Sequence, residues 1–238
     1  MISLAARRFV YFFYSILIAS TIMLLVGKYT RFSAIASFIL LSSFHEKNVF
    51  ALNSGDTLMR LMLFYLILAP SGRCFSLDSI KKKKAFSKSG YKNKIGQQGY
   101  IWPRRLMQIQ LAIVYLFAFL PKTGTTWKSG NAIYYFLANS HFARFNFDFL
   151  GSFMWLTIIA TYATLLVELL FPMLVWFKAT RKYMVIAGIS LNSGILALSN
   201  ITFFSLIMIV AHLAFIEPET IKKKIVQIKK YRKKLKNL

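Results

Sequence analysis

The sequence predicts an all-α fold, a polytopic bundle of about six to seven membrane segments in one domain over residues 1–238. Three observations predict it. Hydrophobic residues make up 57% of the chain, and the mean hydropathy is +0.53. The apolar residues lie in runs, with basic blocks between them. The formal charge is +24, from 31 Lys and Arg against 7 Asp and Glu. A soluble protein that binds nucleic acid would spread its cations over a polar surface, so no nucleic-acid partner is expected. Backbone in lipid must satisfy its own polar groups, which selects helices over open sheets.

The segments follow in order. Residues 9–26 form the first apolar run, behind Arg7 and Arg8, and no small-residue cleavage site follows it. Runs 32–44, 57–70 and 106–120 are shorter than the roughly 20 residues a span needs, so they are tilted, partly buried or longer than they look. Run 151–177 is the longest, and 183–199 and 201–216 complete the set. Cys74 is the only cysteine, which rules out an internal disulfide.

Charge then predicts orientation. The loop 71–105 carries Lys81, Lys82, Lys83, Lys84 and further cations, and the tail 217–238 is equally basic. Lys178, Arg181 and Lys182 occupy the turn after the fifth run. Two segments separate each basic stretch from the next, so all three fall on one side, the cytoplasmic side. Such lysine blocks serve as topology signals and attract anionic headgroups. Counting backwards puts 28–31 inside, and 45–56 and Met1 outside, with Arg7 and Arg8 against the trend. Either one short run does not span, or the chain starts after a missing helix.

Glu168 lies within 151–177, where an ionisable residue costs at least about 2–3 kcal/mol and faces protein rather than lipid. Two readings fit: a functional acid, or a Glu that pairs with a buried cation to hold helices together. Lys122 follows Pro121 at the outer end of the fourth run, where the proline ends the helix. A half-desolvated lysine there can act as a base, and a snorkelling lysine fits equally. Trp127, Tyr134 and Tyr135 suit an interfacial aromatic belt, and 131–139 suits a short interfacial helix. Asp56 and Arg60 stand four residues apart, so they can pair, or Gly55-Asp56 can cap the third helix. Asn192 and His212 are further polar groups inside apolar runs, His212 as a satisfied structural residue. The sequon Asn200-Ile201-Thr202 falls on a tight turn and reads as chance. No Gly-rich phosphate loop, G-x-S-x-G, HExxH or CxxC occurs, and His45, His141 and His212 are too scattered for a His metal site.

Residues 102–137, WPRRLMQIQLAIVYLFAFLPKTGTTWKSGNAIYYFL, resemble the core of the HTTM family, membrane proteins similar to vitamin K-dependent γ-glutamyl carboxylase. Residues 53–79 resemble it too, through Gly55-Asp56, Arg60, Pro70-Ser71-Gly72 and Ser76-Leu77-Asp78. The layout of 155–218, with Glu168 before Phe171-Pro172, is similar. The resemblance implies that Lys122 stands where the carboxylase has its base toward the hydroquinone, on the outer face. Three departures accompany it: Pro121 replaces a first lysine, Asn192 stands where the carboxylase has a functional His, and the large lumenal domain is absent. Short bacterial members of the sporulation-delaying-protein B type look closer, and they help to mature a secreted peptide toxin.

The resemblance therefore implies a plasma-membrane protein that assists maturation or export of a secreted, bacteriocin-like peptide. Its partners would be the lipid bilayer, a peptide precursor and other maturation proteins. Lys122 would be a base or a positioning cation, and Glu168 its buried partner or proton acceptor. Trp127, Asp56, Arg60 and Asn192 would contact substrate. Two other readings stand beside it: a carboxylase-like enzyme using a lipid quinone, and a non-enzymatic immunity or scaffold protein.

Overall fold

A computed structural model describes residues 4–47, 53–73, 76–81 and 102–217. Most of the basic loop, the tail from residue 218 and Cys74 lie outside the described residues. Among the described residues every regular element is helical, and the one extended pairing is an isolated bridge between Ala143 and Ser199. The helices are α1 (Leu4–Val26), α2 (Thr30–Lys47), α3 (Ser54–Leu68), α4 (Trp102–Phe119), α5 (Thr125–Lys128), α6 (Ala132–Ala138), α7 (Met154–Leu174), α8 (Lys178–Leu198) and α9 (Thr202–Ala211). Each of the seven apolar runs is helical. Two stretches, Arg7–Val26 and Asp148–Leu174, are long and apolar enough to cross a bilayer. The three short runs extend into their polar flanks, as the full lengths of α2, α3 and α4 show.

The chain divides into two compact units, Met1–Met107 and Gln108–Leu238. In the first, α1 packs on α2 and α2 on α3. The buried face of α2 is a small-residue stripe, Thr30, Ser33, Ala34 and Ser37, which permits close helix approach. Ser20 of α1 meets Ser37 across it at 2.9 Å. Gly27, at φ +73°, turns the chain between α1 and α2, and its carbonyl accepts from the amide of Asp78 at 3.1 Å. The Asp78 carboxylate in turn accepts from the amides of Tyr29 and Thr30 and from the Thr30 hydroxyl, at 2.9–3.1 Å. Those bonds satisfy orphan donors at the start of α2 and complement its dipole.

Asp56 also works as a cap. Asn53 accepts from the amides of Gly55 and Asp56, and Asp56 accepts back from the Asn53 amide at 3.0 Å, a reciprocal capping box. Arg60 bonds Glu46 of α2 at 3.3 Å rather than Asp56. The helix start competes successfully for the carboxylate, so the local pair that the spacing allows is not made. Asn53→Ala is expected to cost about 0.5–2 kcal/mol, read as a lower melting temperature of the detergent-solubilised protein.

In the second unit α7 packs against α6 and α8, and α8 against α9. The buried face of α7 is Thr157, Thr161, Thr164, Glu168 and Phe171, at three- and four-residue spacing. The threonine hydroxyls return bonds to the preceding turn at 2.7–2.8 Å, so these three hydroxyls are satisfied within their own helix. Pro172 lies inside α7 and supplies no amide for the carbonyl of Glu168 one turn earlier. The opposite faces are apolar and exposed: Leu25 is 85% exposed, Phe117 66% and Val210 62%. Such wide apolar exposure fits a lipid solvent rather than water.

Candidate functional site

The helix α4 stops at Phe119, and the amide of Lys122 closes a turn onto the Phe119 carbonyl at 3.0 Å. Pro121 accounts for the stop, as the sequence predicts. The turn aims the Lys122 side chain at α7, where Nζ forms an ion pair with Oε1 of Glu168. The lysine side chain is 18% exposed and the glutamate 7%. The two residues, 46 positions apart, are therefore partners, one of the two roles that the resemblance gave Glu168.

Trp127 completes the arrangement. It lies on α5, directly after the turn, and its ring centroid is 4.6 Å from Nζ of Lys122. A tryptophan face is the most favourable aromatic surface for an ammonium group, worth ~0.5–2 kcal/mol. Lys122 thus has a carboxylate and an aromatic face as neighbours. The second carboxylate oxygen of Glu168, Oε2, is buried and accepts no hydrogen bond from the described residues. An acceptor left without any partner would cost about 1–3 kcal/mol, more for a charged group.

Chemically, a low-dielectric lysine–glutamate pair can exist as ammonium–carboxylate or, after transfer of one proton from Nζ to Oε1, as amine–carboxylic acid. The first form presents a fixed cation. The second presents a neutral amine able to take a proton from a bound group.

A second buried cluster lies one turn further along α7. Phe171 stacks on Tyr115 of α4 with centroids 4.1 Å apart. The Tyr115 hydroxyl meets Nε2 of His212 at 3.1 Å and receives a hydrogen bond from Nδ2 of Asn192 at 2.9 Å. Nδ1 of His212 lies 2.6 Å from the carbonyl of Met208, which can only accept, so Nδ1 carries the proton. In the neutral ring Nε2 then accepts from Tyr115. Donation runs one way, from Asn192 to Tyr115 to His212 to Met208. Gly188 makes the approach possible: a Cβ there would meet Nε2 of His212 and sit 2.7 Å from the Tyr115 hydroxyl oxygen. His212 is the satisfied structural residue the sequence suggests. Tyr115 was not singled out as a polar group in its own right. The signal lay in the conjunction of Tyr115, Asn192 and His212, the rare polar groups of three separate apolar runs.

The structure thus brings Lys122, Trp127 and Glu168 together and sets Asn192 in the neighbouring cluster. Asp56 and Arg60 belong to the first unit, as a helix cap and a partner of Glu46. The stretch between α4 and α7 is folded rather than loose. The amide of Ile133 donates to Thr161, the Tyr162 hydroxyl donates to the Lys128 carbonyl, and Asn200 donates to the Ala143 carbonyl. That last bond occupies the side-chain amide of the chance sequon.

Apolar helices with lipid-suited faces, closing around a buried ion pair, define a helical membrane protein. The chain matches the HTTM domain family over residues 1–219 and belongs to that family. No curated protein and no solved structure matches it.

Proposed function

We propose that this HTTM protein is a multi-pass plasma-membrane protein that assists maturation or export of a secreted, toxin-like peptide, with Lys122 and Glu168 at its working face. The orientation follows the basic stretches: loop 71–105 and the tail inside, Lys122 outside. The seven apolar helices would then supply about six to seven crossings, the shorter ones tilted or shielded by neighbours. The resemblance to short bacterial members of the sporulation-delaying-protein B type, set beside the departures from the carboxylase, supplies the peptide.

The observation that carries the reading is the buried Lys122–Glu168 pair, whose second carboxylate oxygen accepts no hydrogen bond from the described residues. A pair that served only to join helices would gain from satisfying both oxygens. An unbonded acceptor beside a cation suits an incoming group that is both donor and acceptor, and a peptide amide is one. Lys122 would hold the carbonyl side or take a proton, and Glu168 would orient Lys122 and accept from the amide side.

A lipid-soluble quinone is the second reading, favoured by one feature. A groove of about 320 Å³ is lined by Phe119, Tyr162, Leu165, Leu166, Leu169 and Leu170, neighbours of the pair in sequence. It is nearly all apolar, so a flat apolar ring fits its chemistry. Leu165 and Leu169 flank Glu168 in the chain, and Phe119 precedes Lys122 by one turn.

The test compares wild type with Lys122→Ala in a deletion strain at equal membrane abundance, by mass spectrometry of small secreted peptides. The expected result is loss or a mass change of one peptide. An unchanged secreted profile removes the peptide role of Lys122. Dependence of the wild-type signal on added quinone would select the second reading.

A further inference from the structure

We propose that the first unit binds an anionic phospholipid with a hydroxylated headgroup, of the phosphatidylglycerol type, in the cavity between the start of α2 and the end of α3. The cavity has a volume of about 640 Å³. That lies within the roughly 300–1,000 Å³ of small-molecule sites. It is independent of the Lys122 site and needs only that Arg7–Val26 crosses the bilayer.

Depth is the first argument. The span Arg7–Val26 ends at Val26, and the cavity wall begins three residues later with Tyr29, Thr30 and Arg31. The cavity therefore opens where hydrocarbon gives way to headgroups. The second argument is the division of its walls. Ile67 and Leu68, from the last turn of α3, give one wall an apolar character suited to the upper part of an acyl chain. Arg31 and Lys81 stand on the polar wall, two cations for one phosphate. A free phosphate would leave the apolar wall without a partner, whereas a lipid uses both.

Asp78 also lines the cavity and at first sight opposes an anion. Its carboxylate, however, accepts three hydrogen bonds from the first residues of α2 and lies at that helix's positive end, which offsets its charge. The Ser71 hydroxyl, which also lines the cavity, offers an acceptor for a headgroup hydroxyl. That favours a glycerol headgroup over one bearing only a phosphate.

The test is native mass spectrometry of the full chain, purified in mild detergent and supplied with dioleoyl-phosphatidylglycerol, dioleoyl-phosphatidylcholine, or free glycerol 3-phosphate. Wild type should retain one phosphatidylglycerol in preference to phosphatidylcholine. Arg31→Ala/Lys81→Ala should weaken retention on the order of tenfold or more, as expected for the loss of charge-assisted bonds to the phosphate. Lys82→Ala/Lys83→Ala removes the same charge from the adjoining lysine run and should retain the lipid like wild type. Melting temperatures of both double variants without lipid establish folding. Equal loss in the two double variants would show diffuse attraction to the basic run and overturn the site. Wild-type retention in Arg31→Ala/Lys81→Ala would overturn it as well. Glycerol 3-phosphate held as tightly as the lipid would assign a soluble anion and overturn the lipid assignment.

Discussion

Lys122→Ala is expected to destabilise the second unit by about 3–5 kcal/mol, because it leaves the buried Glu168 carboxylate without its counterion. Glu168→Gln should cost less, since Gln keeps an acceptor for Nζ while removing the charge. The informative variant is the apolar replacement of both, Lys122→Met/Glu168→Leu. It deletes two desolvated charges together and fills similar volume, so stability should return to near wild type or exceed it. Thermal unfolding in detergent checks the order: Lys122→Ala lowest, Glu168→Gln intermediate, the apolar pair highest among the variants. The same three proteins, assayed for the secreted peptide at equal abundance, separate function from scaffolding. A functional pair leaves the stable apolar variant inactive. An apolar variant that is both stable and fully active would establish the scaffold reading.

Gly188→Ala carries the second large effect. The added methyl would press on Nε2 of His212 and on the Tyr115 hydroxyl inside a core where both side chains are fully buried. Overpacking of this kind costs about 1–3 kcal/mol. Tyr115→Phe attacks the same cluster differently. It keeps the ring stacked on Phe171 but strips Asn192 and His212 of their shared partner, costing about 1–3 kcal/mol. The two changes share the hydroxyl, so the double variant should lose less than the sum of the singles. Strict additivity in a thermal double-mutant cycle would show that Gly188 does not crowd that hydroxyl.

Much of this site could be read from residue type alone. Glu168 stood out because a carboxylate in a long apolar run needs a protein partner, and Lys122 because Pro121 had to end its helix. Their pairing entered only through the family resemblance, as one of two roles for Glu168, since a contact across 46 residues is fixed by how the helices meet and not by any local pattern. For Asp56 the sequence allowed both a pair and a cap. The cap prevailed because Asn53 lies three residues before it and completes a reciprocal bond. Helix lengths were underestimated where polar flanks such as Trp102-Pro103-Arg104-Arg105 continue a helix beyond its apolar part. Proline is tolerated in that first turn, so it did not mark a boundary.

The wiring of the second unit has a consequence for its synthesis. Asn192 and His212 reach Tyr115 across 77 and 97 residues, and Gln108 reaches the carbonyl of Ala214 across 106. A growing chain therefore completes α4 long before these partner groups have been synthesised. In the interval the Tyr115 hydroxyl has neither of these two partners. Chains halted before Asn192 would lack both the donor and the acceptor that the Tyr115 hydroxyl meets in the finished fold, which would mark such fragments for quality control.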